Sequence, residues 1–442
     1  MTFFVNLDGT SAFGKNKNMA IDVLVLNTAV TDLRRPDFEF ADALVGKGGL
    51  AKCDTKDMPS YSQQQLREWI EQGFATAGGP GNSAPLIART GLKVAVGVNL
   101  GRGDYDGLDA QGKFFYDVMT ANGIDMSATF IHPSLPTGTT FIHSSTGQDR
   151  GGIAYFPNAN NDFDFHVFKK AVERLKPKIV YYMYSGLSDR GDANGGRDLA
   201  KFINYCRSKG TITIVDSHTL TSNPQELIKA GKPVQEYRLL EPLLPEVDLF
   251  FTSCDEAKLI ENTLAGKRAW ERFGEHENNI HFLDFLTERF WLTPLELLER
   301  GKKVSNGTRR FLTGQEEKRM RLFGVTVSNG AYEKHICPDG DIGGPNKIES
   351  RFMAGEVVDL VGAGDSFRAG LLTYIACHLD KFKDDSINFV EAVQMGNLFA
   401  SLYIKAPLND RYGNIKAYDK MLKVVRSKVN YPSLQALQDA LR

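Results

Sequence analysis

The chain has 442 residues, with 53 Lys+Arg against 54 Asp+Glu and a formal charge of −1. Its 42% hydrophobic, 24% charged and 10% aromatic residues give the balance of a soluble globular protein with a sizeable core, which excludes disorder as the whole answer. Near-neutral charge argues against a protein dedicated to coating nucleic acid, which carries a basic excess. Glycine stands out, with 42 in 442 residues against roughly 7% in ordinary usage. It weakens helix and strand interiors, so the excess belongs in turns and close backbone approaches.

Residues 1–19 read as a flexible leader without the pattern of a signal peptide. A run of β-branched and apolar residues at 21–26 (IDVLVL) predicts a strand buried on both faces. Similar runs follow at 93–98, 179–184, 212–216, 247–252 and 322–327. Helical patterns at 82–90, 199–206 and 225–230 separate several of them. This alternation predicts an α/β fold, a doubly wound parallel sheet with helices on both faces. Residues 134–157 alternate strand-like runs around a Gly-rich turn and predict an antiparallel hairpin.

Residues 264–321 read as a polar helical insertion. Between Arg300 and Arg321 there are eight Lys/Arg and two Asp/Glu. That stretch is a solvated face or a docking surface for an acidic partner. The five cysteines (Cys53, Cys206, Cys254, Cys337 and Cys377) are odd in number, dispersed and free of any CxxC pair. A zinc or disulfide framework is not indicated, and a reducing cytoplasm fits. No apolar run approaches the roughly 18 residues of a membrane span.

The most informative glycine cluster is Asp359-Leu-Val-Gly362-Ala363-Gly364-Asp365-Ser-Phe367. Phe367, Leu371, Ile375 and Leu379 recur behind it at helical spacing. Small residues at a helix start let backbone N–H groups face an anion, and the helix dipole adds positive potential. Asp365 at that mouth is a first-turn cap or a working carboxylate. A carboxylate beside an anion hole is what phosphoryl transfer needs, since that reaction asks for positioning, charge neutralisation and a base.

The stretch DLVGAGDSFRAGLL resembles the C-terminal signature of the ribokinase-like, or PfkB, carbohydrate kinases. A second motif of that family, a Gly-Gly-x-x-x-Asn turn before an Ala-rich helix, is matched by Gly78-Gly79-Pro80-Gly81-Asn82. Weaker matches extend from about residue 22 to 405. The resemblance implies a kinase domain over 20–430, with lid elements near 33–60 and 130–160, and leaves 431–442 as a tail.

The resemblance also implies roles. Asp365 would be the general base, and the N–H groups of Gly362, Ala363 and Gly364 the anion hole. Asp32, Gly78, Gly79, Asn82 and Arg150 would contact a sugar. Glu256 would order Mg²⁺ waters, and Thr326, Ser328, Asn329 and Gly330 would form the nucleotide turn. Asn329 is then expected to supply left-handed backbone where the family has glycine. Asp359 would lie near a monovalent cation site. Ser253, Ser328 and Leu360 stand where the family has Asn, Gly and Thr.

The implied cofactors are ATP and Mg²⁺, with K⁺ as a further cation. The implied assembly is a homodimer in the cytoplasm, with neither nucleic acid nor membrane as partner. A nucleoside acceptor and a non-catalytic sugar sensor remain as alternatives. Glu275-His276-Glu277 with His281 reads as a solvated loop or a metal site. A dinucleotide oxidoreductase fits poorly, because 27–32 lacks the Gly-rich turn.

Overall fold

The fold is taken from a computed structural model that describes residues 20–35, 49–143, 152–266, 270, 273–291, 320–338, 341–384 and 386–442. The leader 1–19, Arg150 and most of the basic stretch 300–321 lie outside the described residues. The strands in chain order are β1 (Val23–Leu26), β2 (Val30–Arg35), β3 (Leu50–Lys52), β4 (Ala75–Gly78), β5 (Val94–Gly97), β6 (Asn99–Tyr105), β7 (Phe130–His132) and β8 (Gly138–His143). They continue as β9 (Ile153–Phe156), β10 (Ile179–Ser185), β11 (Ile212–Ser217), β12 (Leu249–Ser253), β13 (Arg321–Val327), β14 (Gly330–Ile336) and β15 (Ile342–Glu349).

Eight strands form the main sheet in the order β15-β14-β13-β12-β11-β10-β1-β5. The six from β13 to β5 pair in parallel, and β14 and β15 close one edge as an antiparallel meander. All six parallel strands coincide with the apolar runs of the sequence. Their unbroken apolar character follows from burial on both faces, where two separate hydrophobic clusters pack. The β14–β15 meander was not foreseen, because its polar, Gly-containing sequence lacks such a run.

The chain runs from β1 to β5 on one side and later to β10 on the other. The reversal opens a crevice at the carboxyl ends of β1 and β10, where open α/β sheets bind ligands. A second sheet, β3-β9-β8-β2-β4, covers this crevice. The expected hairpin is its β8–β9 pair, antiparallel with Thr140 opposite Tyr155.

Side chains alternate across this smaller sheet, as the pleat requires. Val30, Asp32, Thr140, Ile142, Ile153 and Tyr155 face the crevice. Leu33, Phe141, Ala154 and Phe156 face outward, where they pack with Leu66, Tyr61 and Trp69 of the helix Gln63–Glu71 and its approach. A capping box between Ser62 and Gln65 starts that helix.

Two expectations change in the periphery. The described part of the insertion is not a polar excursion: the helix Glu275–Leu286 and the turn after it bury Phe282, Leu283, Leu286, Phe290 and Trp291. Residues 431–442 carry the helix Leu434–Ala440, and Leu437 and Leu441 are buried in the main core. Among the described residues, no helix is long and apolar enough to cross a membrane.

Candidate active site

A cleft of about 540 Å³ runs from the inner face of the smaller sheet to the turn between β13 and β14. The helix Ala363–Cys377 points its N-terminus into it. That helix starts on Gly362, whose φ of 86° favours glycine, and no side chain caps it. A Cβ on Gly362 would sit 2.9 Å from Asn82 Cγ and from a ring carbon of Tyr403. The residue type here follows from both the backbone and the lack of space.

The amides of Gly362, Gly364 and Asp365 have no partner among the described residues, whereas Ala363 N–H donates to the Leu360 carbonyl at 3.1 Å. The expected anion hole therefore loses Ala363 as a donor and gains the amide of Asp365. Uncapped N–H groups at a helix start, together with the dipole, suit an anionic ligand.

Asp365 is 5% exposed. Its Oδ2 accepts from Asn82 Nδ2 at 3.0 Å and from the Tyr184 hydroxyl at 2.5 Å. Its Oδ1 accepts from Arg368 Nη2 at 2.8 Å. Arg368 also pairs through Nε with Asp216 at 2.8 Å and bonds the Tyr181 hydroxyl at 2.9 Å. Burial pushes the Asp216 carboxyl up to about 7, with Arg368 opposing and the Asp365 charge adding.

At the other end, Asp32 Oδ1 accepts from Thr140 at 2.5 Å. Burial raises the Asp32 carboxyl above its ordinary value, against the pull of Arg34 and the Thr140 bond. Gly78 does not line the cleft. It leaves room for Asp32, since a Cβ there would lie 2.6 Å from the Asp32 Oδ2. Gly79 lines the cleft. Its glycine is required by a φ of 56° and by the Thr28 carbonyl oxygen, with which a Cβ would collide.

Asn82 also lines the cleft, but both ends of its amide are engaged. It donates to Asp365 and accepts from Tyr403 at 2.6 Å. Asn82 therefore links the Asp365 carboxylate to the Tyr403 hydroxyl.

At the β13–β14 end, Thr326, Ser328 and Gly330 line the cleft. Asn329 does not, and its backbone is not left-handed; the special conformation belongs to Gly330, with φ 154°. Ser328 and Asn329 form a two-residue hairpin turn between β13 and β14.

Glu256 closes a capping box with Ser253, and its oxygens accept from Thr219 at 3.1 Å and Thr252 at 2.9 Å. Among the described residues no three His, Cys, Asp or Glu converge as a metal cage. His276 instead contacts the Tyr332 hydroxyl and His281 pairs with Glu261, both from a helix rather than a loop. Glu256 lines the cleft, and a Mg²⁺ ion, which keeps several waters, would meet this single carboxylate through water rather than in a protein cage.

A monovalent cation does not fit at Asp359. This carboxylate lies outside the cleft lining and already pairs with the guanidinium groups of Arg34 and Arg411.

Tyr184, Arg368, Tyr403 and Arg411 escaped the sequence reading. Arg368 alone carried a signal, since it lies one helical turn after Asp365.

Residues 59–276 match the sequence model of the pfkB family of carbohydrate kinases. The match includes Gly78 to Asn82 and Glu256 and stops short of Gly362 to Asp365. No curated protein matches the chain in sequence.

Among solved structures, a probable sugar kinase from Rhizobium etli CFN 42 is similar at 16% identity, covering 92% of this chain and 98% of its own, with a TM-score of 0.56. A fructokinase with bound ATP from Xylella fastidiosa gives the same identity, coverages and TM-score. An adenosine kinase from Schistosoma mansoni in complex with 2-fluoroadenosine gives 14% identity, 87% and 95% coverage and a TM-score of 0.56. At these identities the likeness is one of fold. The chain thus carries a sequence match to the pfkB family of carbohydrate kinases over residues 59–276, set in a fold shared with ribokinase-like structures.

Proposed function

We propose that the chain transfers the γ-phosphoryl group of ATP to a hydroxyl of a sugar or sugar acid, with Asp365 as general base. One observation carries this reading. A buried carboxylate and an uncapped helix N-terminus share the middle of a cleft that reaches from the smaller sheet to the β13–β14 turn.

The two Asp365 oxygens divide the work. Oδ2 is filled by Asn82 and Tyr184, which fix the carboxylate plane. Oδ1 has one donor, Arg368, and keeps a lone pair for the acceptor hydroxyl. The amides of Gly362, Gly364 and Asp365 stabilise charge on the transferring group. Mg²⁺ bound with ATP would neutralise charge on the β- and γ-phosphates. Asp32 would accept hydroxyls of the acceptor at the far end. The smaller sheet would exclude water, so that ATP is not simply hydrolysed.

A nucleoside acceptor is the second reading, favoured by the cleft wall. Beside Asp32 and Thr140, the acceptor end is lined by Val30, Leu50, Ile142, Ile153, Tyr155 and Leu187. A bare sugar calls for more polar contacts than this wall offers, while a flat base on a ribose would bury apolar surface there. Acceptor-dependent ADP release across sugars, sugar acids and nucleosides tests both readings. A sugar or sugar-acid hit supports the first and a nucleoside hit the second. Saturable binding without ADP release would instead mark a sensor.

A further inference from the structure

We infer that Arg411 is a built-in cation that positions the catalytic loop, in place of a dissociable monovalent ion at Asp359. The inference rests on the reading of Asp365 as the base.

Arg411 is 3% exposed. One guanidinium nitrogen, Nη2, donates to Asp359 Oδ2. The other, Nη1, donates to the Val361 carbonyl at 3.3 Å and to the Tyr403 hydroxyl at 2.7 Å. Two guanidinium groups already neutralise the Asp359 carboxylate. Its Oδ1 accepts from the Val361 amide at 3.0 Å, and its Oδ2 also accepts from Arg34 at 2.7 Å. A monovalent ion is held by carboxylate and carbonyl oxygens, and here a planar guanidinium already takes those of Asp359 and Val361.

The consequence reaches the base through two further bonds. Tyr403 donates to Asn82 Oδ1 at 2.6 Å, and Asn82 donates to Asp365 Oδ2 at 3.0 Å. The Gly362 backbone packs directly on Asn82 and Tyr403. One buried charge therefore fixes the chain entering the anion hole at 359–361 and, through Tyr403, the carboxylate plane of Asp365. A planar fork is needed for this, because a lysine ammonium cannot span the same acceptors. Arg411 does not itself line the cleft; it acts through Asp359, Val361 and Tyr403 and is a positioning residue.

The test combines cation exchange with chemical rescue, using the full chain and the acceptor identified by the screen. Wild-type kcat and melting temperature are expected to be equal in KCl, NaCl and choline chloride. R411A is expected to lose about 10²-fold in kcat, the scale of a misplaced catalytic group, with a smaller change in KM. Guanidinium chloride, below the concentration that shifts wild-type melting, should restore part of that kcat and raise the R411A melting temperature. Choline should do neither, and R411K should recover less than added guanidinium.

Y403F removes only the relay hydroxyl, and a lower kcat at nearly unchanged melting temperature is expected. Potassium dependence of the wild type, near wild-type kcat in R411A or in Y403F, or an R411A loss without any guanidinium response would each overturn the inference. If the wild type phosphorylates no acceptor, the functional reading fails, and the melting measurements still decide whether Arg411 is the resident cation.

Discussion

Tyr184 shows how much of the site is decided by one backbone residue. Its φ of 57° lies in the left-handed region, which bulky side chains rarely occupy. The register of β10 against β11 shifts between Tyr182 and Ser185, and this irregularity turns the Tyr184 ring into the cleft. Nothing in the residues 181–186 announces that bend, so Tyr184 could not be read from the sequence. Arg368 could have been, since a basic residue three positions after Asp365 on one helix has few other places to go.

The ion pair behind Arg368 gives a pH signature. Asp216 is raised to about 7 in the folded chain, above its ordinary unfolded value near 4. The folded state therefore holds this proton more tightly than the unfolded one. Its contribution to stability is fully present below about pH 4 and is lost as pH rises towards 7. Every tenfold difference in proton affinity between the two states is worth about 1.4 kcal/mol. Urea unfolding of wild type and D216N at pH 5 and pH 7.5 measures it. The wild type should lose stability relative to D216N across that interval, whatever the absolute stability of the variant. Parallel behaviour of the two chains would contradict the assignment.

At the scale of elements, the parallel strands were legible because burial on both faces forces continuous apolar runs. The smaller sheet was less so. Its β2 and β4 strands are short and mix polar with apolar residues, since one face lines a cleft and the other meets a helix. The Gly-Gly turn was legible as a motif, while the physical need behind each glycine was not. Gly79 is constrained twice, by φ and by the Thr28 carbonyl. Gly73 has a φ of 81° but open space around its Cβ position. G73A should cost about 1 kcal/mol of strain, and G79A clearly more, with loss of acceptor turnover. Thermal unfolding of the two variants compares them directly, and equal losses would show that the Thr28 contact is not a constraint.

The same division holds for the charged network. Asp359 and Asp365 lie in one legible motif. Arg34 and Arg411 sit 325 and 52 residues from Asp359 along the chain, so only the fold reveals that they meet it. Asn82 lines the cleft, and its amide bonds Asp365 and Tyr403, partners that only the fold reveals.

At the scale of the whole molecule, the outer face of the smaller sheet bears on assembly. A lid-to-lid homodimer would need that face free. Leu33, Phe141, Ala154 and Phe156 are instead covered by Leu66, Trp69 and Tyr61 of the same chain. We propose that the chain works as a monomer, with the described residues of the site supplied in one copy. Light scattering coupled to size exclusion should give a mass near 49 kDa. A stable dimer broken by charge substitution on the exposed face of the helix Gln63–Glu71 would contradict this.

The central claim is that Asp365 takes the acceptor proton beside the Gly362–Gly364 turn. Its most direct test is acceptor-dependent ADP release by D365N, with ATP binding measured on the same preparation. The expected result is a loss of about 10²–10⁴-fold in turnover, the range of a general base, with ATP affinity largely kept. Near wild-type turnover in a folded, ATP-binding D365N would contradict the claim.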